Sequence, residues 1–126
     1  GARELLEDLH ARGARLAVVT NKLGSSSRAI CTHLGLDGLL DGVFGAGDTP
    51  WLKPDPAFVR HVLARLGRDP AGALLVGDSP YDVAAALNAA LACWCVTTGT
   101  HPADQLLAAG ATRVFPDLFA LHRALA

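Results

Sequence analysis

A chain of 126 residues, 51% of them hydrophobic, is large enough to bury one substantial core and too small for two. Charged residues make up 18% and the formal net charge is −1, so the basic excess that favours a nucleic-acid duplex or an anionic membrane surface is missing. Its apolar stretches are broken by Gly, Asp or Asn well short of the roughly 18 residues that a membrane-crossing helix requires.

Leu5, Leu6 and Leu9 recur at helical spacing, and Gly13 closes that helix. The helix has no start signal and the chain opens at Gly1 without a signal-peptide pattern, so a cut N-terminus is expected. Arg15–Val19, "RLAVV", predicts a short buried strand, with Thr20-Asn21-Lys22 as the loop after it. Ser25–Ser27 offer caps for a helix carrying Ile30 and Leu34 and ended by Gly35. Val43-Phe44 is a weak strand. Asp55 and Pro56 suit the N-cap and first turn of a helix whose stripe is Phe58, Val59, Val62, Leu63 and Leu66, closed by Gly67. Strand Ala73–Val76, helix Val83–Leu91, strand Ala92–Val96, helix Ala103–Ala109, strand Arg113–Phe115 and helix Pro116–Leu125 follow. Short apolar strands alternating with helices predict a single α/β domain over residues 1–126, its parallel sheet covered on both faces. Ligands in such folds lie beyond the carboxyl ends of the strands, which singles out Thr20, Lys53 and Asp78.

The three cysteines are Cys31, Cys93 and Cys95. An odd count fits a reduced, cytoplasmic protein better than a disulfide framework. Cys93 and Cys95 share one face of a strand, but no further His or Cys stands at zinc spacing, so they read as buried core thiols.

"GDSPYD" carries two acids. Ser79, Pro80 and Asp82 form a capping box of the S-x-x-D type, which accounts for Asp82 without any function. Asp78 stands before the cap, where the helix has no need of it. Two carboxylates ~4 Å apart repel by about 4 kcal/mol at an effective dielectric of 20. Such a pair shares a proton or a cation, and oxygen-only ligands suit Mg²⁺. Lys53, between a Gly-rich loop and a Lys-Pro-Asp-Pro turn, can hold a phosphate as a point charge. Thr20 and Asn21 offer a hydroxyl, an amide and backbone N–H groups to an anion, or simply close a turn.

Taken together, "LAVVTNK" (Leu16–Lys22), "LKPDP" (Leu52–Pro56) and "VGDSPYD" (Val76–Asp82) resemble, in order, motifs II, III and IV of the haloacid dehalogenase superfamily of phosphatases. "TNK", "GDTPWLKPDPAF" and "TTGTHPADQLLAAGAT" are most similar to its phosphoglycolate phosphatase group. The resemblance implies a three-layer, Rossmann-like fold and hydrolysis of a small-molecule phosphomonoester through a phosphoaspartate, with Mg²⁺ as cofactor and no nucleic-acid or membrane partner. It implies that Asp78 is a Mg²⁺ ligand and Asp82 either a ligand or an acid behind one. Thr20 and Asn21 would bind the transferred phosphoryl group, and Lys53 would neutralise nucleophile and phosphate, so Thr20 and Lys53 are the catalytic candidates.

Motif I is missing: no D-x-D occurs in the sequence, and "LLDGVF" (Leu39–Phe44) has a single acid where the family has its third strand. Leu91 also stands where the family often has Gly. The expected consequences are a sheet without its first, central strand, a nucleophile encoded before Gly1, and a chain that is inactive alone. The exposed groove so created is expected to make the chain marginal, aggregating or homodimeric. A phosphomutase or dehalogenase of the same superfamily, or a degenerate module that binds without chemistry, fits the same residues.

Overall fold

The computed structural model describes residues 1–125. In chain order the elements are α1 (Ala2–Ala11), β1 (Ala17–Leu23), α2 (Gly24–His33), β2 (Gly42–Ala46), α3 (Pro56–Leu66), β3 (Leu74–Gly77), α4 (Pro80–Asn88), β4 (Ala92–Val96), α5 (Ala103–Ala109), β5 (Arg113–Phe115) and α6 (Leu118–Leu125). The strand pairs are parallel, as alternation with helices requires. They form two sheets rather than one, β1-β2 and β3-β4-β5. Among the described residues no strand occupies the free edge of β1 or that of β3.

β4 shows how the larger sheet is covered. Alternate residues point to opposite faces. Cys93 and Cys95 enter a core with Val59, Leu63, Val83, Ala86 and Leu106, from α3, α4 and α5. Trp94 and Val96 face the other way, against Leu5, Leu9, Leu118 and Leu121 of α1 and α6. The two thiols are fully buried, 3.8 Å apart and free, and burial first, with Cys95 beside it, pushes the Cys93 pKa up. On the second face Asp8 of α1 is held by His122 of α6 at 2.8 Å and by Arg12 at 2.5 Å, and these hydrogen bonds lower its pKa.

Two local readings of the sequence need correction. Thr20-Asn21-Lys22 is not a loop: β1 runs through it to Leu23, and its register with β2 slips between Val19 and Leu23. The backbone stays extended while the ladder breaks, which frees polar groups at the place where the motif lies. Helix α2 is not capped by Ser25–Ser27. It starts at Gly24 with no side-chain cap, and Ser27 Oγ donates to the Leu23 carbonyl at 3.0 Å. Its predicted apolar residues Ile30 and Leu34 are 55% and 51% exposed, and its buried face is Gly24, Ser27 and Cys31. Small residues win that face because β2 lies so near: a Cβ on Gly45 would come within 2.7 Å of the Gly24 backbone.

Candidate active site

Helix α4 begins as its sequence directs. Ser79 is the N-cap, Pro80 occupies N1, and Ser79 and Asp82 exchange the two bonds of a capping box. Asp82 does more than cap. One oxygen, Oδ2, accepts from the Asp78 N–H at 3.0 Å, the Ser79 N–H at 3.2 Å and the Ser79 hydroxyl at 3.2 Å. The other, Oδ1, accepts from Lys53 Nζ at 2.6 Å. Asp82 as a whole residue is 5% exposed. Burial works to raise its pKa, but the Lys53 ammonium, the Asp78 N–H and Ser79 together outweigh it, and the net shift is downward.

Lys53 arrives from the loop between β2 and α3. Its Nζ donates to the Val19 carbonyl at 3.0 Å as well as to Asp82, so one ammonium bridges the smaller sheet and the helix that follows β3. Its main chain is tied to β1 too: Asn21 Nδ2 donates to the Lys53 carbonyl at 3.0 Å, and the Lys53 N–H donates to Asn21 Oδ1 at 2.8 Å. Downstream, Asp55 accepts from the Ala57 N–H at 2.9 Å and Pro56 opens α3, so the turn is rigid on both sides. Upstream, Asp48 accepts from the Gly45 N–H at 2.9 Å and from Arg28 at 2.8 Å, and Arg28 first holds its pKa down.

Asp78 differs from Asp82. It is exposed at the end of β3, and its carboxylate accepts no hydrogen bond among the described residues. With Lys53, Val76, Gly77, Asp82, Val96 and Leu118 it lines a groove of about 310 Å³. Val76, an apolar strand residue, is 39% exposed there. A hard oxygen donor with free lone pairs fits Mg²⁺; Asp82, with both oxygens engaged, does not offer the same freedom. Among the described residues no three His, Cys, Asp or Glu side chains converge, so a cation on Asp78 would also need water or phosphate oxygens.

The structure thus brings Lys53, Asp78 and Asp82 into one groove. Asn21 joins through the Lys53 backbone, and Thr20 lies beside it, its Oγ1 accepting from the Lys22 N–H at 3.1 Å. Neither Thr20 nor Asn21 lines the groove itself. The pairing of Lys53 with Asp82 was not legible locally, since 29 residues separate them. Two glycines also shape the site, and the sequence carries no signal of it. A Cβ on Gly77 would collide with Cβ, Cγ and Oδ2 of Asp82, and one on Gly99 would sit 2.5 Å from Asp78 Oδ2. Neither has a positive φ, so they are needed for room and not for conformation. Gly77→Ala should therefore displace the Asp82 carboxylate and destabilise the protein by about 1–3 kcal/mol, read from the denaturant midpoint. A midpoint equal to wild type would show that α4 shifts freely.

Residues 1–96 match the family model described as haloacid dehalogenase-like hydrolase. The chain is 40% identical over 121 residues to a phosphoglycolate phosphatase from Rhodospirillum rubrum, covering 96% of this chain and 50% of that enzyme. It is 40% identical over 86 residues to a pyrophosphatase from Bacillus velezensis, covering 68% of this chain and 40% of the relative. A crystal structure of a predicted phosphoglycolate phosphatase from Haemophilus somnus superposes with a TM-score of 0.90 at 32% identity, over 98% of this chain and 55% of that one. The chain spans about half the length of the curated relatives it matches.

Proposed function

Because the chain belongs to the haloacid dehalogenase-like hydrolase family, we propose that the protein of which it is part is a Mg²⁺-dependent phosphatase acting on a small phosphomonoester of the phosphoglycolate kind. Lys53 supports this reading most directly: its ammonium is anchored at 2.6 Å to Asp82 and 3.0 Å to Val19, in the groove where Asp78 keeps an open carboxylate. In phosphoryl transfer, positioning and charge stabilisation do most of the work. Lys53 sets positive charge against the phosphoryl oxygens. The Thr20 hydroxyl, which already accepts from Lys22, keeps its own proton to donate to one of them. Asp82 fixes Lys53 and the first turn of α4. Asp78, with Asp82 behind it, would hold Mg²⁺, which supplies charge neutralisation when bound.

The nucleophile in this proposal is an aspartate outside the 126 residues, since they contain no D-x-D. Its carboxylate attacks phosphorus as the alcohol leaves with a proton from a neighbouring acid, and water then cleaves the phosphoaspartate to release phosphate. Three free cysteines support a reducing compartment, which we take to be the cytoplasm. No helix among the described residues is long and apolar enough to cross a membrane.

The test is a panel of small phosphomonoesters and pyrophosphate offered to the whole protein with and without Mg²⁺. Asp78→Asn should lower kcat by about 10² to 10³. Turnover indifferent to both chelation and Asp78→Asn would overturn the proposal.

A further inference from the structure

We propose that Asn21 is a positioning residue for Lys53, and that substitutions at Asn21 act on the site through that lysine instead of through direct contact with phosphate. Calling Lys53 a phosphate-binding group rests on the proposed function above; the clasp itself does not.

The Asn21 side chain and the Lys53 backbone exchange two bonds, Nδ2 to the carbonyl at 3.0 Å and N–H to Oδ1 at 2.8 Å. This is the reciprocal pattern that two strand backbones make, reproduced by a side-chain amide. It fixes the amide plane, because one donor and one acceptor are both engaged on a single residue. Two residues earlier on the same strand, the Val19 carbonyl accepts from Lys53 Nζ at 3.0 Å. One short piece of β1 therefore holds Lys53 at both ends, main chain and ammonium. The slip in the β1–β2 register between Val19 and Leu23 falls on these residues. Lysine is a long chain with several free rotors, and holding its head group alone leaves its root free to wander. Asn21 removes that freedom. Both polar atoms of the Asn21 amide are engaged by the Lys53 backbone, whereas Lys53 itself lines the groove, facing Asp82 and the open space beside Asp78.

Lys22 and Lys53 are the chain's two lysines, which makes the test direct. Brief acetylation of the whole protein with acetic anhydride, followed by digestion and mass spectrometry of the two lysine-containing peptides, reads the reactivity of each. Lys53, whose side chain is 14% exposed and ion-paired, should label about tenfold more slowly than exposed Lys22 in the wild type. In Asn21→Ala, Lys53 should label several-fold faster with Lys22 unchanged. Asn21→Asp, which keeps the acceptor for the Lys53 N–H, should fall between them, and it decides the matter if Asn21→Ala fails to melt cooperatively. Unchanged Lys53 labelling in both variants would overturn the proposal. A separate titration with orthovanadate, using the whole protein, addresses the phosphatase reading. Asn21→Ala combined with Lys53→Met should bind vanadate no worse than Lys53→Met alone, and a further loss in the double variant would mark Asn21 as a direct ligand. Absence of vanadate binding by wild type would count against the phosphatase reading, while the labelling still decides Asn21.

Discussion

Lys53→Met is expected to destabilise the protein by about 3 kcal/mol at pH 7, because it leaves the buried Asp82 carboxylate without its counter-charge. Methionine preserves much of the lysine's volume, so the effect isolates the charge. The side chains of Lys53 and Asp82 are 14% and 7% exposed, and solvent screens the pair little. The three donors on Oδ2 survive the substitution, which keeps the loss near the lower end for broken buried pairs. The pH dependence gives a second check. In the wild type the folded pKa of Asp82 lies below its unfolded value of 3.8. Its stabilising contribution is therefore complete above the unfolded pKa and fades as pH falls through the folded one. In Lys53→Met, burial is no longer outweighed and the folded pKa rises. The variant should then regain ground on the wild type as pH drops from about 6 into the carboxylate range. Urea denaturation at several pH values reads both effects. A loss below about 1 kcal/mol at pH 7, or a gap that widens on acidification, would contradict this account of the pair.

On the phosphatase mechanism proposed above, these 126 residues expressed alone are expected to hydrolyse phosphomonoesters on the order of 10⁶ more slowly than the whole protein, the scale of losing a catalytic nucleophile. In the proposed mechanism Lys53, Thr20 and Asp78 supply charge and position, but among the described residues no carboxylate lining the groove is unengaged apart from Asp78 itself. The comparison needs the same ester, the same Mg²⁺ concentration and active-site-free controls. Clear turnover by the 126 residues that disappears in Asp78→Ala would show that the chain holds a nucleophile of its own, and would refute this expectation. Rescue of activity on adding the rest of the protein as a separate polypeptide would support it.

Most of the fold was readable because local chemistry and tertiary structure agree. Strand Ala92–Val96, helix Ala103–Ala109 and strand Arg113–Phe115 have the bounds their apolar pattern predicts. The Ser79–Asp82 box and the Asp55-Pro56 start of α3 also form as their residue types direct. Failure came where a distant neighbour decides. Helix α2 turns Ile30 and Leu34 outward because β2 leaves room only for small residues on the inner face. The acids of "GDSPYD" carry no local sign that Lys53 pairs with Asp82 while the Asp78 carboxylate stays open. Nothing within a few residues of Asn21 announces that its amide reaches Lys53, 32 positions away.

The bridge made by Lys53 has a consequence for how this protein tolerates change. Active-site residues are often poorly suited to the fold that carries them, so replacing them gains stability while activity is lost. Lys53 reverses that relation, because the ammonium proposed to face the substrate is also the one that joins Val19 of one sheet to Asp82 beside the other. On the proposed function, drift at this position is penalised twice, in catalysis and in folding, and a search for thermostable variants should find no improvement at Lys53, Asn21 or Asp82. The gains should lie at Ile30 of α2 and Leu34 just after it, which are exposed and belong to neither core cluster among the described residues.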